Sequence, residues 1–180
     1  QCERPISNRE IFKTERDKMT IKPGEKLPQA SFMTFGEEGP APKTTDEVFA
    51  GKRVALFAVP GAFTPTCSAK HLPGFVQKSD ALKEAGIDKI ACTSVNDIFV
   101  MGAWGEQQEV GENVEMLADG NGDFAKDLGL TMDGSGFGMG LRSQRYAMVV
   151  NDGVVEHLFV EGPGEFKVSS AEHMLEALKG

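Results

Sequence analysis

An α/β fold is predicted, with a mixed central sheet and helices on both of its faces. Three observations predict it. Residues 53–59 (RVALFAV) and 89–95 (KIACTSV) are short, β-rich, largely apolar runs, the pattern of strands covered on both sides. Stretches of helical spacing separate these and the later strand at 114–118, so strand and helix alternate, implying βαβ crossovers and a mostly parallel core. A hairpin signal, Asn151-Asp152-Gly153 between the apolar runs 146–150 and 154–160, then adds an antiparallel pair.

In chain order, residues 1–18 lack a leading methionine and are rich in charge. They read as an expression remnant or flexible extension ahead of Met19, with no role for Cys2. A cleaved organelle leader is the alternative, weakened by Glu3, Glu10, Glu15 and Asp17. Residues 19–180 then form a single domain. Residues 22–45 hold four prolines and three glycines, hence turns and a short hairpin around 30–35. Residues 46–49 can make one helical turn.

A helix opens at Pro65, carries Leu72, Phe75, Val76, Ala81 and Leu82, and is capped by Gly86. Pro73 falls inside it and predicts a kink or break near 69–72. Asn96-Asp97 caps a further helix whose apolar face is read from Phe99, Val100 and Trp104. A turn at 119–122 precedes a short helix, 123–128, stopped by Gly129. The glycine cluster 134–140 lacks dinucleotide or P-loop context and reads as a flexible loop. Ser169-Ser170-Ala171-Glu172 is a capping box for a closing helix that packs Ala171, Met174, Leu175 and Leu178.

With 180 residues, 40% of them hydrophobic, the chain can bury one substantial core and hardly two. A net charge of -8 argues against nucleic acid or an anionic membrane as partner, since phosphate binding needs clustered lysine and arginine. Three cysteines, Cys2, Cys67 and Cys92, widely spaced and without C-x-x-C, do not make a disulfide scaffold. No apolar run approaches the ~20 residues of a membrane helix. A cytoplasmic protein is expected, or an organellar matrix protein if residues 1–18 are a processed leader.

The chemistry concentrates at VPGAFTPTCS, residues 59–68. Thr64 suits an N-cap and Pro65 the first helical position, which puts Cys67 in the first turn. There the helix dipole and unpaired N–H groups favour a thiolate and hence a nucleophile. The competing reading is a small buried hydrophobe. Cys92, inside a strand, reads as a core packing residue. A reactive thiolate needs a cation nearby, and the candidates are Arg142 and Arg145 at the start of the strand 146–150; otherwise both are surface arginines. His71, four residues after Cys67, shares a helix face with it, but two ligands without a third make a weak metal site. His157 and His173 read as surface positions.

VPGAFTPTCSAKHLPGF, CTSVNDIFVMGAWG and LRSQRYAMVVNDGVV, in this order, resemble the type II (peroxiredoxin V-like) subfamily of peroxiredoxins over residues 20–180. The resemblance implies a thioredoxin-like fold and a peroxide site of Pro60, Thr64, Cys67 and Arg145, with Arg142 more peripheral. Cys67 would be the peroxidatic nucleophile, Thr64 and Arg145 donors to the peroxide oxygens, and Pro60 a shield from water. It implies a thiol-dependent peroxidase acting on hydrogen peroxide and alkyl hydroperoxides, without bound cofactor or metal.

Some members carry a resolving cysteine where this chain reads Val168-Ser169-Ser170. Its absence points to a one-cysteine cycle recycled by glutathione or glutaredoxin, with thioredoxin as alternative and Cys92 as a secondary thiol. A homodimer is implied, with Phe63, Phe99 and the loop around Phe137 as contacts. A peroxide sensor or redox docking protein is the competing function, distinguished by whether the oxidised cysteine is recycled.

Overall fold

The computed structural model describes residues 20–179, so the extension 1–18, Cys2 and Met19 lie outside the described residues. A hairpin of β1 (Ser31–Gly36) and β2 (Gly39–Thr44) leads into α1 (Thr45–Phe49), which Thr44 and Glu47 close with a capping box. Strand β3 (Arg53–Ala58) follows, then a helical segment of three pieces: a π-turn (Cys67–His71), α2 (Leu72–Gln77) and α3 (Ser79–Glu84). Next come β4 (Lys89–Ser94), α4 (Ile98–Gln107), β5 (Glu115–Ala118) and α5 (Asp123–Leu128). The small hairpin β6 (Thr131–Asp133) and β7 (Leu141–Ser143) precedes β8 (Tyr146–Asn151), β9 (Val154–Val160) and α6 (Ala171–Lys179).

Seven strands make one sheet in the order β2-β1-β5-β4-β3-β8-β9. The sheet is mixed, as expected, but less parallel than the alternation of strands and helices implies. Only β3–β4 and β4–β5 run parallel. The hairpins at both ends, β1–β2 and β8–β9, also join their neighbours antiparallel, β8 against β3 and β1 against β5. The β8–β9 hairpin turns at Asp152 and Gly153, whose φ of 48° and 82° are the positive pair that suits a two-residue loop.

Strand β3 divides the core by its period of two. Ala55, Phe57 and Val59 face a cluster with Cys67, Leu72, Phe75, Leu82, Met101, Trp104 and Met174, drawn from the helices on one side. Val54, Leu56 and Ala58 face the opposite cluster, where Val48, Phe49, Phe124 and Leu128 supply α1 and α5. Helices therefore cover both faces, and β3 is buried from Val54 onward.

The interruption expected near 69–72 is present, and local expectations are corrected in four other places. The interruption caused by Pro73 takes the form of the π-turn, in which the Leu72 N–H reaches back five residues to the Cys67 carbonyl. The helix also breaks at Lys78, which separates α2 from α3. In α4 the buried face is Ile98, Met101, Trp104 and Gly105, whereas Phe99 is 68% exposed. Trp104 closes this face by donating from Nε1 to Ser68 Oγ at 3.0 Å. The glycine cluster is the tip of the β6–β7 hairpin and contains a short 3₁₀ turn, Ser135–Phe137, where only a loop is expected. The closing helix is capped one residue later than the S-x-x-E pattern suggests. Ser170 Oγ accepts from His173 N–H, while Ser169 is wholly buried and its hydroxyl has no partner among the described residues.

Candidate active site

The turn that ends β3 shapes the site. Val59 still bonds to the next strand, its N–H donating to Thr93 O, and the Ala62 N–H then donates to Asn96 Oδ1 at 2.9 Å. Phe63 holds a left-handed φ of 65°, costly for a bulky residue, and it does so with its ring 48% exposed. The first helical bond runs from Ser68 N–H to Thr64 O, so Thr64 takes the N-cap place and Cys67 falls in the first turn, as predicted.

The Thr64 side chain does something other than capping. Its hydroxyl donates to Gly61 O at 2.7 Å. A hydroxyl has one proton to give, so with that proton committed its lone pairs remain, and the expected donor is available as an acceptor. Pro60 is half-buried at the end of β3, and the Cys67 sulfur is fully buried.

Arg145 reaches the sulfur from the neighbouring strand. Strand β8 lies beside β3, with Tyr146 opposite Ala58, and this places the residue before β8 near the β3 turn. Arg145 Nη2 donates to Cys67 Sγ at 3.0 Å. Arg142 is placed differently: Nε donates to Met139 O and Nη1 to Val95 O, at 2.9 and 3.1 Å. A Cβ at Gly61 would lie 3.3 Å from the Met139 methyl and 3.5 Å from Arg142 Nη1, so both side chains border the turn. Of the two candidate arginines, Arg145 touches the sulfur and Arg142 sits at the rim.

Sequence reasoning missed the use made of His71. Its Nδ1 lies 2.9 Å from Arg145 Nη1, and its Nε2 lies 2.9 Å from Ser169 O. A guanidinium only donates and a carbonyl only accepts, so the ring carries its proton on Nε2 and presents Nδ1 as a lone pair. The imidazole thus holds the arginine that holds the sulfur. Burial, and then the Arg145 charge, lower its pKa to about 3. The spacing of Cys67 and His71 put both on one face, but nothing local indicated that the third member would be an arginine.

This burial has a consequence for stability. In the unfolded chain a histidine titrates near ~6.5, so below that pH the unfolded state binds a proton that folded His71 refuses. The contribution is complete above that pH and is lost as pH falls towards 3. At pH 5 the loss is on the order of 2 kcal/mol. Urea unfolding at pH 7 and pH 5 is expected to show that much more destabilisation in the wild type than in His71→Gln, whose amide neither titrates nor loses both bonds. An equal drop in both proteins would contradict the assignment.

Cys92 lies in β4, fully buried in the same cluster as Cys67. Burial, with a smaller push from Cys67, raises its thiol pKa well above the ordinary value. His157 and His173 are partly buried and stack on Phe159, one face-on and one edge-on. Two cavities, of about 500 and 760 Å³, lie by Met116 and by Asp119, and Cys67 lines neither. Among the described residues no cluster of His, Cys, Asp or Glu could hold a metal ion, and no helix is long and apolar enough to cross a membrane.

Comparison with known proteins places this arrangement. Residues 22–175 match the family described as Redoxin. The chain is 51% identical over 164 residues to the chloroplastic peroxiredoxin-2E-2 of Oryza sativa subsp. japonica, covering 88% of this chain and 73% of that one. It is 45% identical over 159 residues to peroxiredoxin-2B of Arabidopsis thaliana, covering 88% and 98%. Among solved structures, reduced Prx3 of Vibrio vulnificus in complex with hydrogen peroxide superposes with a TM-score of 0.85 at 55% identity, covering 88% and 99%. The chain belongs to the peroxiredoxin family, on the thioredoxin-like fold that the sequence motifs implied. Its class of activity is that of a thiol-dependent peroxidase.

Proposed function

We propose that the protein reduces hydrogen peroxide and alkyl hydroperoxides through Cys67 in a one-cysteine cycle recycled by glutathione and glutaredoxin. The observation that carries this reading is the 3.0 Å contact of Arg145 Nη2 with Cys67 Sγ, a fixed positive donor at the sulfur in the first turn of a helix. That the similar Vibrio protein has been captured with hydrogen peroxide supports the substrate.

In the first step the Cys67 thiolate attacks one peroxide oxygen and the O–O bond breaks. The sulfur gives up two electrons to become sulfenic acid, and the departing oxygen takes a proton and leaves as water or an alcohol. Arg145 is aimed where charge grows on the oxygens. Thr64 Oγ1, its own proton committed to Gly61, accepts from the peroxide O–H, and Pro60 keeps water from the sulfur.

An external thiol then attacks the sulfenic sulfur, forming a mixed disulfide and water, and a second thiol releases Cys67. Cys92 is a poor resolving group, since its thiol is buried and kept protonated. A second copy of the chain, meeting at the exposed rings of Phe63, Phe99 and Phe137, completes the reading as a homodimer in a reducing compartment, the cytoplasm or an organelle.

Turnover with excess peroxide tests the cycle. Cys92→Ser is expected to keep the wild-type rate with glutathione and glutaredoxin, within about twofold, because burial keeps the Cys92 thiol protonated and so a poor nucleophile. Loss of turnover in Cys92→Ser would give that thiol a resolving role, and a single oxidation without recycling by glutaredoxin or thioredoxin would favour a peroxide sensor.

A further inference from the structure

The route from Arg145 does not stop at His71. His71 is fixed by a backbone carbonyl, that of Ser169, which belongs to the segment between β9 and α6. The same segment supplies Phe166, whose ring lies 5.1 Å from the His71 ring and 5.8 Å from Arg145 Cζ. The segment 161–169, EGPGEFKVS, has no regular element of its own to hold it in shape. It contains neither helix nor strand, and the Ser169 hydroxyl makes no bond that would anchor it.

Glu161 holds it. This carboxylate is 7% exposed, and its oxygens accept from the backbone N–H groups of Lys167, at 2.9 and 2.6 Å, of Val168, and of Ser169 at 3.1 Å. The Glu161 backbone N–H donates in turn to Arg145 O at 3.0 Å. One residue therefore grips the backbone of Arg145 with its main chain and gathers three consecutive amides with its side chain. Charge-assisted bonds to a buried carboxylate are the strong kind, and a buried carboxylate would be costly without them.

We infer that Glu161 is a positioning residue for peroxide reduction: by closing residues 161–169 it places Ser169 O on His71, and so aims the Arg145 guanidinium at Cys67. This rests on the reading of Cys67 as the peroxide-reacting thiol. Glu161 touches neither sulfur nor substrate. It acts at a distance of three links, Ser169 O to His71 Nε2, His71 Nδ1 to Arg145 Nη1, and Arg145 Nη2 to Cys67 Sγ, each between 2.9 and 3.0 Å.

The test compares two reactions of one sulfur. Attack on hydrogen peroxide needs the arginine in place, whereas alkylation by iodoacetamide needs only an accessible thiolate, so the ratio of the two rate constants reads the aim of Arg145. In Glu161→Ala the ratio is expected to fall about 10- to 100-fold, the scale of a misplacement near 1 Å. Glu161→Gln keeps the volume and one acceptor oxygen, and carries the test if the alanine variant does not fold; its ratio is expected to fall about threefold or more. In an Arg145→Ala background, Glu161→Gln is expected to change the ratio no further, because both act through the same group. An unchanged ratio in folded Glu161→Gln, or a further independent loss in the double variant, would overturn the inference. A wild-type protein whose Cys67 fails to react with peroxide would instead overturn the proposed function.

Discussion

Replacing Cys67 with serine is expected to return peroxide reduction to the uncatalysed rate, a loss of roughly 10⁶-fold or more, the scale of a whole enzymatic acceleration. The fold should survive. Cys67 is a small, fully buried residue in a large apolar cluster, and serine preserves its volume at the cost of burying a hydroxyl. Arg145 Nη2 would keep an oxygen acceptor in place of sulfur, so the guanidinium has no cause to move. A hydroxyl at that position is a much weaker nucleophile than a thiolate and has no adjacent base, since His71 Nδ1 is engaged by Arg145. Stopped-flow peroxide consumption checks the rate, and unchanged far-UV circular dichroism checks the fold. Substantial residual turnover would place the chemistry on another thiol.

The second large effect is that of Arg145→Ala. Removing one preorganised donor to developing charge costs about 10²- to 10³-fold in rate, or some 3–4 kcal/mol. Here the same change strips His71 of its partner, leaving a buried ring nitrogen without a donor, so a loss of stability of about 1–3 kcal/mol is expected beside the kinetic one. Arg145→Lys separates the two contributions. An ammonium can bond the sulfur or the imidazole but cannot span both as the planar fork does, so it should recover part of the rate only. Second-order rate constants for the three proteins, with urea midpoints alongside, check this. Full activity in Arg145→Ala would remove the arginine from the site.

Much of this was legible in the sequence where the signal is local. The buried strand 53–59, the Pro-Gly turn, Thr64, Pro65 and Cys67 follow one another within a few residues, and the dihedral preferences of proline and the period of the strand suffice to place them. Asn151-Asp152-Gly153 names its own turn. Arg145 needed the motif resemblance, since the topology that sets β8 against β3 is a property of the whole sheet.

What escaped was long-range and polar. His71 and Ser169 are 98 residues apart in sequence, and no periodicity records that one ring nitrogen meets a distant carbonyl. Glu161 looks like a surface charge in a glycine-rich stretch, and only the closed segment shows its carboxylate buried among three amides. Phe99 goes the other way: helical spacing groups it with Val100 and Trp104 on one apolar face, yet it is 68% exposed. The capping serine is a matter of one residue's register, which S-x-x-E alone does not settle when two serines adjoin.

The most direct measurement is to treat the reduced protein with one equivalent of hydrogen peroxide in the presence of dimedone, without added thiol, and map the cysteines by mass spectrometry. The account predicts a sulfenic-acid adduct on Cys67 with Cys92 still a free thiol. An adduct on Cys92, or a Cys67–Cys92 disulfide, would contradict it.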